Sequence, residues 1–492
     1  MNKIYIEGNY IIFLIDGVVN PVNLWSAKYK PTALGWTIYD QSNASVTILI
    51  ANIGDFLAGS TGDTYFTEAT FNSFLKTNTG SNSFFFEGDV DANIAFRDSA
   101  NLDSFSRLRV SNPTNVFDCQ FTYDLQPTIF EQITNGTGAT VTHDSTNRNA
   151  LMTFVSTPTG GQSIMQSYDH LRYQPLKSQL IAVTFNFKGG VSNCIKFGGY
   201  SDGSNGFECR LNGTTPQLAI LSTTSNGNQF IDQSNWNLDK FDGTGASGLT
   251  IDFTKEQILI IDFQALYVGR VRMGFDIDGS IMYAHEFLHA NDTDEPYIAT
   301  ANLPIRVGMT CTGTVSTTMK FNCSSVASEG GQEETSSYDF AKTVSLTATN
   351  GTRKSAISIR PRTTFNGIVN RAKIGVLEVE VSVDGNSPVN WELCFGQALS
   401  GASYSNVNTT YSVVDFSEDD AVSGTPAIVA SSGNVSASNQ TKSTIQSIIK
   451  SRYSITLDSA GNVRDLGTCS VIVEGDGGNS GCVVTLRWKE IR

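Results

Sequence analysis

Charge is scarce in this chain of 492 residues: Asp, Glu, Lys and Arg together make up 16% of it, and acidic residues outnumber basic ones 47 to 33. A net charge of −14 argues against a nucleic-acid partner, because following a phosphate backbone needs a basic surface. No apolar run is long enough to cross a bilayer. The run at 10–15 (YIIFLI) is stopped by Asp16-Gly17 and is too short for a signal sequence. Eight cysteines lie far apart, at 119, 194, 209, 311, 323, 394, 469 and 482. None forms CxxC or a compact Cys/His set, which excludes the common zinc and redox motifs. At that density they read as reduced, mostly buried thiols rather than a disulfide framework. Heptads and Ala/Glu/Lys-rich tracts are missing, so long helices and coiled coils are excluded. The loop 475–481 (GDGGNSG) lacks the G-x-S-x-G order of a nucleophile elbow. The stretch 276–279 (DIDG) lacks the spaced ligands and terminal Glu of a calcium loop. No glycine-rich phosphate loop opens onto a helix, and no cofactor is expected.

What the chain does have is turn formers and aromatics: 44 Gly, 29 Phe and 16 Tyr. The stretch 248–291 concentrates the pattern. QILIIDF, at 257–263, is a near-continuous apolar run of strand length, as in a strand buried on both faces. From 268 onward the pattern alternates. Val271, Met273, Phe275 and Ile277 share one face, and Arg270, Arg272, Asp276 and Asp278 share the other. This is the pattern of a half-buried strand with its charges in solvent. Asp278-Gly279 then predicts a hairpin turn, with a return strand over 281–289.

That return strand spells His285-Glu286-Phe287-Leu288-His289, or H-E-x-x-H. On a helix the two imidazoles stand about 6 Å apart and bind zinc, with Glu286 as general base. On a strand they are about 13 Å apart, beyond any shared ion. The DG turn upstream and the missing helix cap select the strand, so His285 and His289 read as core or interface histidines with no metal.

The predicted fold class is all-β, with several β-sandwich or jelly-roll-like domains joined by short linkers. Residues 1–80 form a small N-terminal β-rich domain with one amphipathic helix at 67–76, and 81–116 read as a connector carrying Phe84-Phe85-Phe86. Strands spaced by NG, DG and GG turns mark 117–329 as a central β-sandwich. Residues 330–338 are a polar linker, and 339–492 are a C-terminal β domain. Within it, the periodicity of 441–451 leaves helix and strand both open. Trp236, Trp391, Tyr404 and Tyr411 lie near polar, loop-like segments, which makes them candidates for stacking on sugars. Packing in the core is the competing role, since aromatics dominate cores. Paired carboxylates for glycoside cleavage leave no motif, so a depolymerase is not excluded by sequence.

Three phrases carry a resemblance: 104–113 (SFSRLRVSNP), 236–245 (WNLDKFDGTG) and the block 269–291. They resemble the virion fibre and structural proteins of crAss-like and related tailed bacteriophages, most strongly over 100–330. The resemblance implies a non-enzymatic head or tail fibre, a homotrimer attached through its N-terminal domain to other virion proteins. Such a protein is made in the host cytoplasm without a signal peptide, is carried on the virion, and exposes its β domains to the host without membrane insertion. A carbohydrate-binding module that recognises a host-surface glycan, or a polysaccharide depolymerase, is the alternative.

Overall fold

The computed structural model describes residues 102–105, 107–109, 113–155, 160–331, 337–444 and 453–492, together with five strands between residues 3 and 46. The helix expected at 67–76 and the Phe84-Phe85-Phe86 triplet lie outside the described residues. Met1–Arg97 and Asp98–Arg492 are two compact units. In the first, Lys3–Glu7, Tyr10–Ile15, Trp25–Thr32, Gly35–Tyr39 and Ser45–Val46 pair in chain order as an antiparallel meander. Every regular element described in the second is a strand, apart from one 3₁₀ turn at Gln233–Asn235. The fold is all-β.

The second unit contains two sandwiches. In the central one, a seven-stranded antiparallel sheet runs in the order Gln229–Asp232, Thr215–Leu221, Gly206–Asn212, Cys194–Ser201, Ile305–Cys311, Gly161–Ser167, Phe130–Asn135. The facing sheet has eight strands, with Ser178–Asn186 and Gln257–Phe263 near its middle. Inward-facing residues of both close one core, where Phe207 meets Phe263 with ring centroids 4.8 Å apart. The C-terminal sandwich pairs a four-stranded sheet with a seven-stranded one around Trp488, Trp391 and Val484. The segment 441–451, open between helix and strand in the sequence, holds the strand Gln440–Thr444. Ion pairs and hydrogen bonds dock the two sandwiches together. Lys373 Nζ lies 2.6 Å from Asp169, Ser454 Oγ donates to Asp169 at 2.5 Å, and Arg464 lies 4.0 Å over the ring of Tyr168.

The 271–287 hairpin forms as its alternation dictates. Val271, Met273 and Phe275 are fully buried in the core. Ile277 pairs with Ser280, so the loop is Asp278-Gly279 alone, with φ of 52° and 84°. Both values are positive, as a two-residue hairpin turn that follows the strand twist requires. A bulge beside Gly274 leaves Ala284 unpaired in the ladder, and its carbonyl accepts the N–H groups of Leu238 and Asp239. The return strand ends at Phe287 rather than at 289.

Two expectations are corrected. First, the charged face of this hairpin is not wholly in solvent: Asp278 is exposed and Arg270 and Asp276 are half-buried, but Arg272 is not. Arg272 is fully buried, 2.6 Å from Asp262 and 2.7 Å from the Leu102 carbonyl, with its guanidinium 4.2 Å over the Tyr283 ring. Asp262 Oδ1 accepts Ser104 at 2.6 Å and Ser178 at 2.8 Å, and its Oδ2 also accepts Arg109 and the Tyr283 hydroxyl. Arg109 reaches on to Glu329. Burial pushes the Asp262 carboxyl up, but the two guanidiniums and two serine hydroxyls outweigh it and hold it below its usual value. The cover comes from Leu102, Ser104 and Arg109, whose carbonyl, hydroxyl and guanidinium meet Arg272 and Asp262 from outside the sheet. The resemblance phrases at 104–113 and 269–291 therefore meet at one buried ion cluster. The third phrase supplies Trp236 and Phe241, which pack against Phe275.

Second, the thiols are not all reduced. Cys194 and Cys311 are directly opposite on neighbouring strands, with Cα atoms 4.0 Å apart, and form a disulfide. The other six are free, and all but Cys323 are buried. Sequence density could not reveal the pair, because only the strand register brings these two cysteines together.

Candidate functional site

His285 lies in the strand Ser280–Phe287, and His289 lies beyond its end. His285 Nδ1 accepts the Asn237 N–H at 3.2 Å, and burial pushes the ring down to about 4. His289 stacks 4.1 Å over Tyr297 and contacts the Gly269 carbonyl and Gln229. Burial lowers its pKa as well. Both are neutral packing residues in an extended chain, without the helical spacing that a shared ion needs.

The proposed sugar-stacking aromatics separate. Trp236 is 3% exposed and donates its indole N–H to the Ile231 carbonyl. Trp391 is 4% exposed in the C-terminal core. Neither has a free ring face, so both are corrected to core residues: Trp236 is tucked beside the 3₁₀ turn Gln233–Asn235, and Trp391 is an inward position of the strand Val389–Phe395, whose polar neighbours Asn390 and Glu392 alternate outward. Tyr404 gives one ring face to Arg360, at 3.8 Å, and its hydroxyl to Ser358, at 2.8 Å. Tyr411 is 61% exposed.

A different constellation lies on the outer face of the seven-stranded sheet. In Gly206–Asn212 the residues Phe207, Cys209 and Leu211 point into the core, so Glu208 and Arg210 point out. Registers across the sheet place Phe230, Ala219, Glu208, Gly199, Arg306, Gln166 and Glu131 side by side in one row. The parallel row beside it is Asp232, Gln217, Arg210, Phe197, Gly308, Ile164 and Ile133. Six steps between strands make each row about 29 Å long. The middle of the face is low. A Cβ on Gly199 would lie 2.0 Å from the Phe207 carbonyl oxygen, and one on Gly308 would lie 2.7 Å from Ile164. Only glycine fits at either position.

Side chains along these rows are planar and polar, with aromatic rings between them. Arg306 lies 5.6 Å over Phe197 and donates to Gln166 Oε1. Arg210 lies 4.8 Å over Phe230, which is 45% exposed. Gln217 donates to Asp232 at 2.7 Å. Glu208 is buried: it accepts Ser201 Oγ at 2.6 Å and lies 3.5 Å from Arg210 Nε. Burial raises its pKa, against the opposing pull of Ser201, Arg210 and Arg306, while the nearby Asp202 adds to the rise. A carboxyl whose pKa is raised by burial is better placed to donate a proton to a leaving oxygen. Glu131, four strands away at about 19 Å, is too distant to be its partner in a glycosidase-type pair. Asp202, one residue after Ser201, is the carboxylate beside it.

No known protein family and no curated protein matches the chain. Solved structures do. An endo-1,3-beta-glucanase from Streptomyces sioyaensis covers 44% of this chain and 97% of its own, at 9% identity and a TM-score of 0.32. A carbohydrate esterase from the Shiga toxin-encoding bacteriophage phi24B covers 44% and 99%, at 14% identity and a TM-score of 0.28. A Bacillus licheniformis beta-glucanase covers 44% and 98%, at 12% identity and a TM-score of 0.25. The chain shares their all-β sandwich class.

This company corrects one sequence expectation. The chain was expected not to be an enzyme; that expectation is withdrawn, since the solved structures it is similar to are named as glucanases and a carbohydrate esterase, with one named a pseudo beta-1,3-glucanase. The expectation rested on the fibre resemblance and on the lack of a catalytic motif. Glu208 carries no motif: nothing in GFECRLN marks it except alternation.

Proposed function

We propose that the outer face of the seven-stranded sheet binds an extended polysaccharide and that Glu208 serves it as a proton donor. The observation that carries this reading is the part of the two rows from Phe230 and Asp232 to Arg306, where flat polar side chains and an exposed Phe230 flank a glycine floor over four strand steps, about 19 Å; beyond it Glu131 accepts the Ser459 N–H of the C-terminal sandwich at 2.7 Å. Rings and guanidinium planes suit the apolar and hydroxyl faces of sugars in the same way that binding sites elsewhere combine apolar surface with a few placed polar groups. Phe230→Ala is expected to weaken binding to envelope polysaccharide by about tenfold or more in affinity electrophoresis or calorimetry. Its thermal midpoint should stay close to that of the parent, because the ring is half exposed. Trp391→Ala provides the contrast: it should cost about 3–5 kcal/mol of stability and leave affinity unchanged in whatever fraction folds. Equal binding by the parent and Phe230→Ala sinks the proposed face.

For the chemistry, purified protein is expected to release reducing ends from a host polysaccharide. Glu208→Gln should lower that rate by about 100-fold or more while retaining binding. Activity should fall as pH rises through the elevated Glu208 value, since only the protonated carboxyl donates. Binding without release across a panel of envelopes reduces the reading to a recognition module. The resemblance at 104–113, 236–245 and 269–291 supports placing this module on a phage particle as a homotrimeric head or tail fibre that contacts host glycan. A solution mass of three chains by light scattering, with the protein detected on purified virions, is the expected result.

A further inference from the structure

The outer face is not the only place where arginines gather in this acidic chain. At the junction of the two sandwiches is a cavity of about 50 Å³. Its wall includes His170, Arg172 and Asn302 from the central sandwich and Arg371, Lys373 and Arg492 from the C-terminal one. Four cations and an imidazole around one small cavity are unexpected in a protein with net charge −14. Two of the cations are matched: Lys373 by Asp169 at 2.6 Å and Arg492 by Glu490 at 2.9 Å. Arg371 gives its hydrogen bonds to the carbonyls of Asp458 and Ser459, at 2.6 and 2.7 Å. No ion pair or side-chain hydrogen bond engages the Arg172 guanidinium among the described residues, and no carboxylate offsets its burial. His170 is 8% exposed; its Nδ1 faces the Tyr168 carbonyl at 3.4 Å, and its Nε2, the lone-pair nitrogen of the neutral ring, is a buried atom with no hydrogen-bond partner. Asn302 accepts the Tyr173 N–H through Oδ1, which leaves its NH₂ as a further donor.

We infer that this cavity is a binding site for a small oxyanion, phosphate or a group of the same charge and shape. A buried lone pair without a partner and positive charge without a counter-charge are costly where they stand. A hydrogen phosphate held by Arg172 and Arg371 meets both needs, accepting from the guanidiniums and donating its own hydroxyl to His170 Nε2. The volume has room for several waters, and so for one tetrahedral oxyanion. The cavity takes its donors from both sandwiches, so the bound ion also ties one to the other. Close approach of Arg371 already disfavours the charged form of His170, whose pKa burial and that guanidinium together push down to about 3. A bound anion reverses the sign of that field.

The test uses the full-length chain and inorganic phosphate, with ionic strength held constant by potassium chloride. Phosphate is expected to bind at one site per chain by calorimetry and to raise the thermal midpoint along a saturating curve. Arg172→Gln should weaken phosphate binding at least tenfold. Without phosphate its midpoint should match or exceed that of the parent, because the substitution removes one of several crowded positive charges. His170→Gln, which keeps an acceptor without the ring, should weaken binding less. A second arm compares a sugar phosphate and a hexuronic acid with the free ion. Tighter binding of either assigns the site to the acidic group of a glycan, and no gain over phosphate assigns it to the free ion. Two results overturn the site: a midpoint that follows total salt whatever the anion, or a phosphate isotherm that Arg172→Gln leaves unchanged.

Discussion

Asp262→Ala is expected to lower the stability of the chain by roughly 3–5 kcal/mol, the usual range when one member of a buried ion pair is removed. The reason is what remains behind. Arg272 is fully buried and Arg109 nearly so, and both aim at Asp262 Oδ2. Without the carboxylate, two guanidiniums face each other and lose the acceptor they share, with Glu329 still paired to Arg109. Urea unfolding at neutral pH measures the loss. Replacing Asp262 and Arg272 together by leucine should recover most of it, since an apolar pair of similar volume often matches a buried ion pair. A double variant no better than Asp262→Ala would show that the loss comes from packing rather than charge. The pH dependence follows from the lowered Asp262 pKa. Its contribution is complete above the unfolded value of about 3.9 and is lost as pH falls through the folded value. Asp262→Asn should therefore flatten the acid limb of the stability curve below about pH 4. Glu329 works in the opposite sense. Burial raises its pKa, so its contribution is present in acid and declines as pH rises through the folded value.

The same cluster shows what could be read from the sequence. The 271–287 hairpin was legible because strict alternation and a DG turn are local facts, and they fixed which residues entered the core. The same alternation assigned Arg272 to solvent, because charge at an outward position ordinarily means water. Its cover is Leu102, Ser104 and Arg109, about 165 residues earlier in the chain, and no local pattern reports such a contact. The apolar run at 257–263 did carry the hint, since Ile260 had no reason to be apolar on a solvated face. H-E-x-x-H could be set aside from spacing alone. Trp236 and Trp391 could not be placed, because a tryptophan beside a turn looks the same in sequence whether the indole stands over the loop or is tucked beneath it. Glu208 and Arg306 lie in strands 98 positions apart in sequence with Gly199 between them in the sheet. The face they share exists only once the strand order is known. The cavity at His170 and Arg172 depends on the docking of two sandwiches and had no signal in the sequence.

The disulfide is a second feature of long range, and its loss is the other large effect expected. Cys194 and Cys311 are 117 residues apart in sequence, and closing a loop of that size removes about 5 kcal/mol of chain entropy from the unfolded state in the loop-closure model. Measured losses for native disulfides are typically about 2–5 kcal/mol, so the Cys194→Ala, Cys311→Ala double variant should fall in that range by urea unfolding. Both cysteines are almost completely buried, at 2% and 1% exposure, which protects the bond kinetically. Reductant should therefore act on the native chain no faster than the surrounding sheet opens, and much faster in urea near the unfolding midpoint. Lys196, two residues along the same strand, helps to hold that region closed. Its buried ammonium donates to the carbonyls of Phe187, Gly189 and Thr318, joining the strand to the facing sheet. Alkylation under denaturing conditions should count six thiols in protein exposed to air and eight after reduction. The eight-thiol form is expected to be the one recovered from a reducing cytoplasm, with the extra stability gained on oxidation after release. Equal urea midpoints for the six-thiol and eight-thiol forms would mean that the paired strands already hold the ends of this loop together in the unfolded ensemble.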